Sequence, residues 1–292
     1  MLRFDGVVVA NFGAALVVQD AQGAVHRAVP LKKLSLLVAG DKVTCEGPNP
    51  GELRVIGLEP RHTVLERPDR RQQMRPLAAN LTQMIVVSAV MPPPESLLID
   101  QFCIVAENVG VKAVVVLNKS DLASPEDVET HEEMLELYND LGYDTAMINT
   151  LSASGFQPLN DLLKNQCSVL VGQSGVGKSS IVQAILPDQD IRIGAISAAT
   201  GVGAHTTTVS FRYELDCGGV LIDSPGVRQF PVEHLTVQAV AEGYREIDAL
   251  AVECRFSDCT HRVEPDCAVV NAVETGNIAR QRYQNYCKLT NR

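Results

Sequence analysis

The feature that most constrains the fold is a glycine-rich segment, residues 172–179 (GQSGVGKS), which matches the pattern GxxxxGK[ST]. It follows an apolar segment, residues 168–171, that predicts a β-strand, and it precedes residues 181–186, whose apolar spacing predicts a helix. Glycines let such a loop wrap phosphate oxygens with backbone N–H groups and a helix N-terminus. Lys178 would neutralise β- and γ-phosphate charge, and Ser179 would ligate Mg²⁺. The sequence therefore predicts a nucleoside triphosphate site on an α/β sheet.

A second motif, residues 118–121 (NKSD), stands at the end of another apolar segment, residues 113–117. A carboxylate in this place, here Asp121, can accept hydrogen bonds from guanine N1–H and the 2-amino group, and adenine offers neither donor. The two motifs together favour GTP over ATP, although an ATP-using enzyme remains an alternative. Ser152 and Ala153 follow a predicted strand and form a turn that could line the base.

A third element begins at Asp223, directly after the predicted strand of residues 220–222. Asp223 could reach Mg²⁺ through water, and the Gly226 N–H could meet the γ-phosphate. Residues 201–208 precede this element, in the place of a mobile loop whose threonine closes on Mg²⁺. We expect Thr207 to be that ligand, with the two threonines beside it as alternatives.

The catalytic helper is the least determined part of the predicted site. Ras-like hydrolysis uses a glutamine just after the third element to orient water, and Val227 occupies that place here. His205 is the best internal candidate, because it belongs to the predicted mobile loop; a structural or solvent-facing histidine is the alternative. We therefore expect slow intrinsic turnover that a partner accelerates by ordering this loop.

The order of the motifs indicates a circular permutation. An ordinary GTPase has its phosphate loop first and its guanine-reading loop last, whereas residues 118–121 precede residues 172–179 here. Such a permutation is physically admissible, because the loops emerge from one edge of a sheet and keep their places when the chain is cut elsewhere. Strand and helix patterns alternate after residue 81, which predicts a parallel sheet covered on both faces.

The first 60 residues predict a different architecture. Five short apolar segments are separated by turn residues, which is typical of a small barrel of either the oligonucleotide-binding (OB) or the SH3-like type. Residues 61–75 follow, with five arginines against two acids, and the prolines at 68 and 76 discourage a helix. We interpret this stretch as a basic linker.

Four potential metal ligands lie within 14 residues near the C-terminus: Cys254, Cys259, His261 and Cys267. Three thiolates and an imidazole are a standard closed tetrahedral zinc set, although buried structural cysteines or a redox pair are alternatives. The N-terminus lacks the basic and then apolar stretch of a signal peptide, so we expect a reducing cytosol, where clustered cysteines favour metal binding over disulfides.

Composition and charge exclude several classes of protein. Hydrophobic residues make up 46% and charged residues 21%, which excludes wholesale disorder, and no stretch approaches the ~18 apolar residues of a membrane span. The net charge of −10 makes the chain a poor nonspecific nucleic-acid binder. Residues 1–80 carry 11 Lys+Arg against 8 Asp+Glu, so any nucleic-acid contact must be local.

The barrel, the early NKSD before residues 172–180 (GQSGVGKSS), and residues 254–267 (CRFSDCTHRVEPDC) together resemble the small-ribosomal-subunit-dependent GTPase A family, RsgA. The resemblance implies an OB-type barrel over residues 1–72, a circularly permuted P-loop GTPase domain over 73–232 and an α-helical zinc-binding domain over 233–292. It implies a cytoplasmic, monomeric GTPase without a membrane contact, which binds the small ribosomal subunit and its rRNA late in maturation and whose GTP hydrolysis that subunit stimulates. A rival interpretation is an RNA-binding module whose nucleotide is bound but not hydrolysed.

The motifs and the resemblance together assign the site residues. Those expected to bind the nucleotide are Asn118, Lys119, Ser120, Asp121, Ser152, Ala153, Gly172, Gln173, Ser174, Gly175, Val176, Gly177, Lys178, Ser179, Ser180, Asp223 and Gly226. Mg²⁺ bound with GTP is assigned to Ser179, Thr207 and Asp223, catalysis to His205, and one structural zinc to the Cys₃His set. The basic residue common before the switch histidine is Ala204 here, and a basic N-terminal extension is almost absent. We therefore expect affinity for the particle to depend on the arginine-rich linker and on four basic residues near the end, Arg280, Arg282, Lys288 and Arg292.

Overall fold

The structure, a computed structural model, describes residues 1–34, 36–69, 71–188, 209–223 and 235–291. It divides into two compact units. The first contains Met1–Gln83, Phe156–Leu170 and the described part of Lys178–Arg228. The second contains Met84–Gly155, Val171–Gly177 and the described part of Gln229–Arg292. Among the helices in the described ranges, none is long and apolar enough to cross a bilayer.

The first unit opens with a five-stranded barrel, as predicted. Its strands are β1 (Leu2–Asn11), β2 (Leu16–Asp20), β3 (Val25–Pro30), β4 (Lys42–Gly47) and β5 (Leu53–Leu58). Neighbouring strands pair in the order β1-β2-β3-β5-β4, β3 and β5 run parallel, and β4 closes the barrel on β1. This is the OB arrangement rather than the SH3-like alternative. Alternate side chains such as Leu16, Val18 and Val43 fill its interior.

The segment predicted as a basic linker is instead a β-hairpin, so that prediction is wrong. Strands β6 (Val64–Pro68) and β7 (Met74–Ala79) pair antiparallel. A two-stranded ribbon has free edges and so accommodates proline, which cannot donate an N–H. Asp69 closes the turn by accepting hydrogen bonds from the N–H groups of Arg71 (2.7 Å) and Gln73 (3.1 Å).

Arg61, another arginine of this segment, is not a free cation, because its guanidinium donates hydrogen bonds to the carboxylate of buried Asp41 at 2.7 and 2.8 Å.

The barrel continues into a further group of strands in the same unit. Strand β12 (Phe211–Glu214) pairs with β1 at Ala10 and Phe211, and with β13 (Val220–Asp223) antiparallel. Strand β13 in turn pairs parallel with β11 (Cys167–Val171). Helix α4 (Lys178–Ile185) also belongs to this unit. The barrel is therefore hydrogen-bonded, through β12, to the strand that ends at Asp223.

The second unit carries the other predicted strands and helices of the α/β region. Strands β8 (Gln83–Ala89), β9 (Lys112–Asn118) and β10 (Asp144–Met147) lie in the order β10-β9-β8, and β8 and β9 are almost fully buried. Helices α1 (Ser96–Val109) and α2 (Pro125–Asp140) belong to this unit, whereas α3 (Ala153–Leu163) begins in it and belongs to the first unit from Phe156 onward. Helix α2 begins with a capping box between Ser124 and Asp127, and its acids form an exposed face.

Short helices surround the cysteine-rich segment at the C-terminal end: α5 (Val237–Glu242), α6 (Arg245–Ala251), α7 (Ala268–Glu274) and α8 (Arg280–Thr290). The expectation that Arg282 contributes an RNA-facing charge is wrong. Its side chain is only 2% exposed and is paired with Asp100 and Glu246. A helix without acids of its own can bury a cation when other helices supply the carboxylates.

Candidate nucleotide and metal sites

The predicted phosphate loop has a backbone that only glycine tolerates at its two ends. Gly172 follows the last residue of β11 and has a φ of +137°; a Cβ there would overlap the carbonyl oxygen of Val87. Gly177 has a φ of +95°, and a Cβ there would overlap the side chain of Asn118. The next residue, Lys178, begins α4. The sequence thus builds the strand, glycine turn and helix that an anion-binding loop requires.

The predicted guanine-reading loop is hydrogen-bonded to this phosphate loop. The Lys119 ammonium donates to the carbonyl oxygens of Gly175 (2.7 Å) and Met91 (2.6 Å). The Asn118 amide donates to the carbonyl oxygen of Val176 at 2.9 Å. Lys119 has a φ of +60°, a left-handed backbone that turns the chain sharply after β9. Two motifs that are more than 50 residues apart are therefore joined in one site.

One buried polar atom in this site is unsatisfied by protein. Asn118 is 1% exposed, and its Oδ1 has no hydrogen-bond partner among the residues of the described ranges. Buried side-chain acceptors are nearly always paired, so an unpaired one beside an anion-binding loop fits a polar ligand. Asp121 lies two residues beyond Lys119 in a short exposed 3₁₀ turn. The arrangement therefore fits a bound nucleotide whose base lies over the NKSD loop.

The turn predicted at Ser152 lies beside this loop, and sequence reasoning missed the residue that shapes it, Asn149. The Ser120 N–H donates to the carbonyl oxygen of Ile148 at 3.1 Å, which brings the end of β10 to the guanine-reading loop. The next residue, Asn149, shapes the turn: its Oδ1 accepts from the N–H groups of Leu151 and Ser152, both at 3.1 Å, and from the Ser152 hydroxyl. The detectable signal was an asparagine at the end of a predicted strand, since asparagine is typical of such turns.

The structure describes only some of the remaining predicted site residues. Ala153 is the first residue of α3, and the Ser152 hydroxyl accepts the Gly155 N–H at 3.1 Å. In the first unit, Lys178, Ser179 and Ser180 form the first turn of α4, and Asp223 ends β13. His205, Thr207 and Gly226 lie outside the described residues.

The four predicted metal ligands converge. Their donor atoms all lie within 4.8 Å of one another. Cys254 Sγ lies 3.8 Å from Cys267 Sγ, and these two sulfurs lie 3.5 and 3.7 Å from His261 Nδ1. A tetrahedral zinc with Zn–S bonds of about 2.3 Å would separate two sulfurs by about 3.8 Å. The cluster therefore has the dimensions of a tetrahedral metal site with three thiolates and one imidazole.

The Asn149 turn generates a prediction. Asn149→Ala removes the acceptor of three hydrogen bonds, so the turn beside the NKSD loop loses its fixed shape, and we expect the affinity for GDP to fall about tenfold. Asn149→Asp keeps the acceptor oxygen and should bind GDP within about twofold of the wild type. Fluorescence titration with a labelled GDP measures both; equal affinity in the alanine variant would show that this turn does not shape the base site.

Comparisons with known proteins point to a GTPase family. A family model of the RsgA GTPase matches residues 58–233. A protein of Haemophilus influenzae (strain PittEE) named small ribosomal subunit biogenesis GTPase RsgA is 40% identical over 289 residues, covering 98% of this chain and 84% of its own.

Solved structures with the same architecture give a further comparison. The crystal structure of YjeQ from Thermotoga maritima superimposes with a TM-score of 0.82 at 30% identity, covering 99% of this chain and 98% of the other. YloQ, described as a circularly permuted GTPase, superimposes with a TM-score of 0.80 at 23% identity, covering 99% and 94%, which supports the fold alone. By its motif order, its fold and its near-full-length relatives, this chain belongs to the RsgA GTPase family.

Proposed function

We propose that this chain hydrolyses GTP and acts in late maturation of the small ribosomal subunit, which it binds and which stimulates its hydrolysis. The observation that carries the nucleotide part is the pair of hydrogen bonds from Lys119 to Gly175 and Met91, because it joins the guanine-reading and phosphate loops. The ribosomal part is supported by the name of the Haemophilus influenzae relative, a small ribosomal subunit biogenesis GTPase.

The proposal gives roles to the main predicted site residues. Asn118, Lys119 and Asp121 hold the guanine base, and residues 172–178 surround the phosphates. Ser179, Thr207 and Asp223 would hold Mg²⁺, which neutralises charge that develops on the phosphates during hydrolysis. His205 would orient the attacking water, because Val227 has no polar atom to do so.

We propose that this chain contacts rRNA of the small subunit through its barrel, its β6–β7 hairpin and its zinc domain. Arg71, exposed at the hairpin tip, presents its cation to phosphates, whereas Arg61 and Arg282 are excluded by their ion pairs. We further propose a cytoplasmic monomer without a membrane contact, with domain boundaries at residues 72/73 and 232/233.

We propose one structural zinc at the Cys₃His cluster. All four positions are protein ligands, so no position stays open for catalysis. The last helix supports the ligand loop: the Tyr283 hydroxyl donates to the carbonyl oxygen of His261 at 2.9 Å, and the Tyr286 hydroxyl to that of Thr260 at 2.8 Å. A metal at this point would hold together a ligand loop that lies between short helices.

The hydrolysis proposal is tested by phosphate release. We expect the wild type to release phosphate slowly alone and at least about tenfold faster with purified small subunits, since the subunit would order the His205 loop. His205→Ala should lose the stimulated rate while keeping GDP affinity within about twofold. His131→Ala is the matched control, because His131 is a half-buried residue of α2 outside the predicted site. No release by the wild type in either condition would favour a bound but unhydrolysed nucleotide.

The zinc proposal is tested by metal content and melting temperature. We expect about one zinc per chain in the wild type. Cys267→Ser should lose the metal and lower the melting temperature by at least about 5 °C, since a structural metal contributes directly to folding. Cys217→Ser, a half-buried cysteine outside the cluster, should change neither quantity. A wild type that is fully folded and free of any metal would contradict the proposal.

A further inference from the structure

The phosphate loop is also held by helix α1, through a contact that none of the predicted motifs includes. Glu95 is the N-cap residue of α1, yet its side chain does not cap the helix. Its carboxylate instead accepts a hydrogen bond from the side-chain amide of Gln173, the second residue of the phosphate loop. Gly172 and Gln173 also share one small cavity with Glu95 and with Phe102 of α1. The start of α1 therefore lies directly against the start of the phosphate loop.

The first two turns of α1 are fixed by the last helix. Asn285 of α8 is fully buried, and its side-chain amide donates to the Ser96 hydroxyl at 3.1 Å and to Asp100 Oδ2 at 2.7 Å. Ser96 and Asp100 are four residues apart, so they lie on one face of α1. One asparagine thus bridges two successive turns immediately after Glu95, and it restricts both the rotation and the translation of the helix start.

Asp100 anchors the same contact. It is fully buried and accepts further hydrogen bonds from Arg282 of α8, from Tyr138 at 2.7 Å and from Tyr244 at 3.2 Å. Arg282 also donates to both carboxylate oxygens of Glu246, at 2.7 and 3.0 Å. Burial acts to lower the pKa of Arg282, but the charges of Asp100 and Glu246 raise that pKa well above its usual value. The guanidinium is therefore a permanent cation at the junction of α1, α6 and α8.

Helix α8 contacts the loop that carries the Cys₃His cluster with other residues. Tyr283 and Tyr286 hold the ligand loop, while Arg282 and Asn285 hold α1. The two sets alternate along α8, so one rigid helix connects the cysteine-rich segment with the helix that contacts the phosphate loop. Nothing in an α/β nucleotide site requires this connection, since a phosphate loop is complete with its strand and helix.

We propose that Asn285 and Arg282 are positioning residues for nucleotide binding: they fix the start of α1 so that Glu95 holds Gln173 and, through it, the phosphate loop. This inference rests on the proposed nucleotide site. It makes the C-terminal segment part of the phosphate-binding machinery through α1. The affinity for nucleotide phosphates then depends on residues more than 100 positions away along the chain.

The test measures the affinities of GDP and of guanosine for single variants. Glu95 is exposed, so Glu95→Ala should fold, and we expect it to weaken GDP at least about fivefold while leaving guanosine within about twofold. Glu95→Gln keeps an acceptor oxygen for Gln173 and should restore GDP affinity. Glu107→Ala is the matched control: it removes another α1 glutamate, which contacts Arg245 instead of the phosphate loop, and should leave both affinities unchanged.

A double-mutant cycle tests the link to α8. Asn285→Ala should weaken GDP and spare guanosine as Glu95→Ala does, and the double variant should lose no more affinity than Glu95→Ala alone, because both act through one contact. Fully additive losses would overturn the proposal, as would unchanged GDP affinity in Glu95→Ala. If Asn285→Ala does not fold, the Glu95 variants decide. A wild type that binds neither ligand would overturn the proposed function itself, and this outcome is distinct from the others.

Discussion

The site depends first on the hydrogen bonds that Lys119 and Asn118 make with the phosphate loop. One ammonium group joins a carbonyl oxygen just after β8, that of Met91, with one in the glycine-rich turn, that of Gly175, and the order of the two segments in the chain does not matter. A hydrogen-bond network has no chain direction, so a permuted order can build the same recognition site. The glycines at positions 172 and 177 allow this approach, because any side chain there would fill the space it needs.

Much of the fold could be predicted because apolar spacing is a local signal. The five barrel strands and the buried strands β8 and β9 follow from short apolar segments, and the helices of the α/β region follow from helical periodicity. The β6–β7 hairpin could not be predicted in this way. Its prolines argued against a helix, and only the pairing of Val64 with Ala79 and the turn closed by Asp69 show that the segment is a ribbon.

The site residues also divide into those that a local motif predicts and those that no local motif predicts. The phosphate loop, the NKSD loop and the Cys₃His cluster are local motifs. Among the described residues, the two loops contact each other, and the four Cys and His side chains lie together in a separate cluster. Glu95 and Arg282 carry no motif, because their partners are 78 and 182 residues away. Arg282 is instructive: a basic helix predicted a charged surface, yet a distant aspartate and a glutamate of α6 make burial of this cation possible.

The central claim is that the NKSD loop and the glycine-rich loop act on one guanine nucleotide, and the nucleotide preference of Asp121→Asn tests it most directly. Xanthine carries a carbonyl oxygen where guanine has its 2-amino group, so an asparagine amide can donate where the aspartate accepted. We predict that the variant binds xanthosine diphosphate at least about tenfold more tightly than GDP, which reverses the wild-type order. A variant that keeps the wild-type preference for GDP would contradict the account, because Asp121 would then lie away from the base.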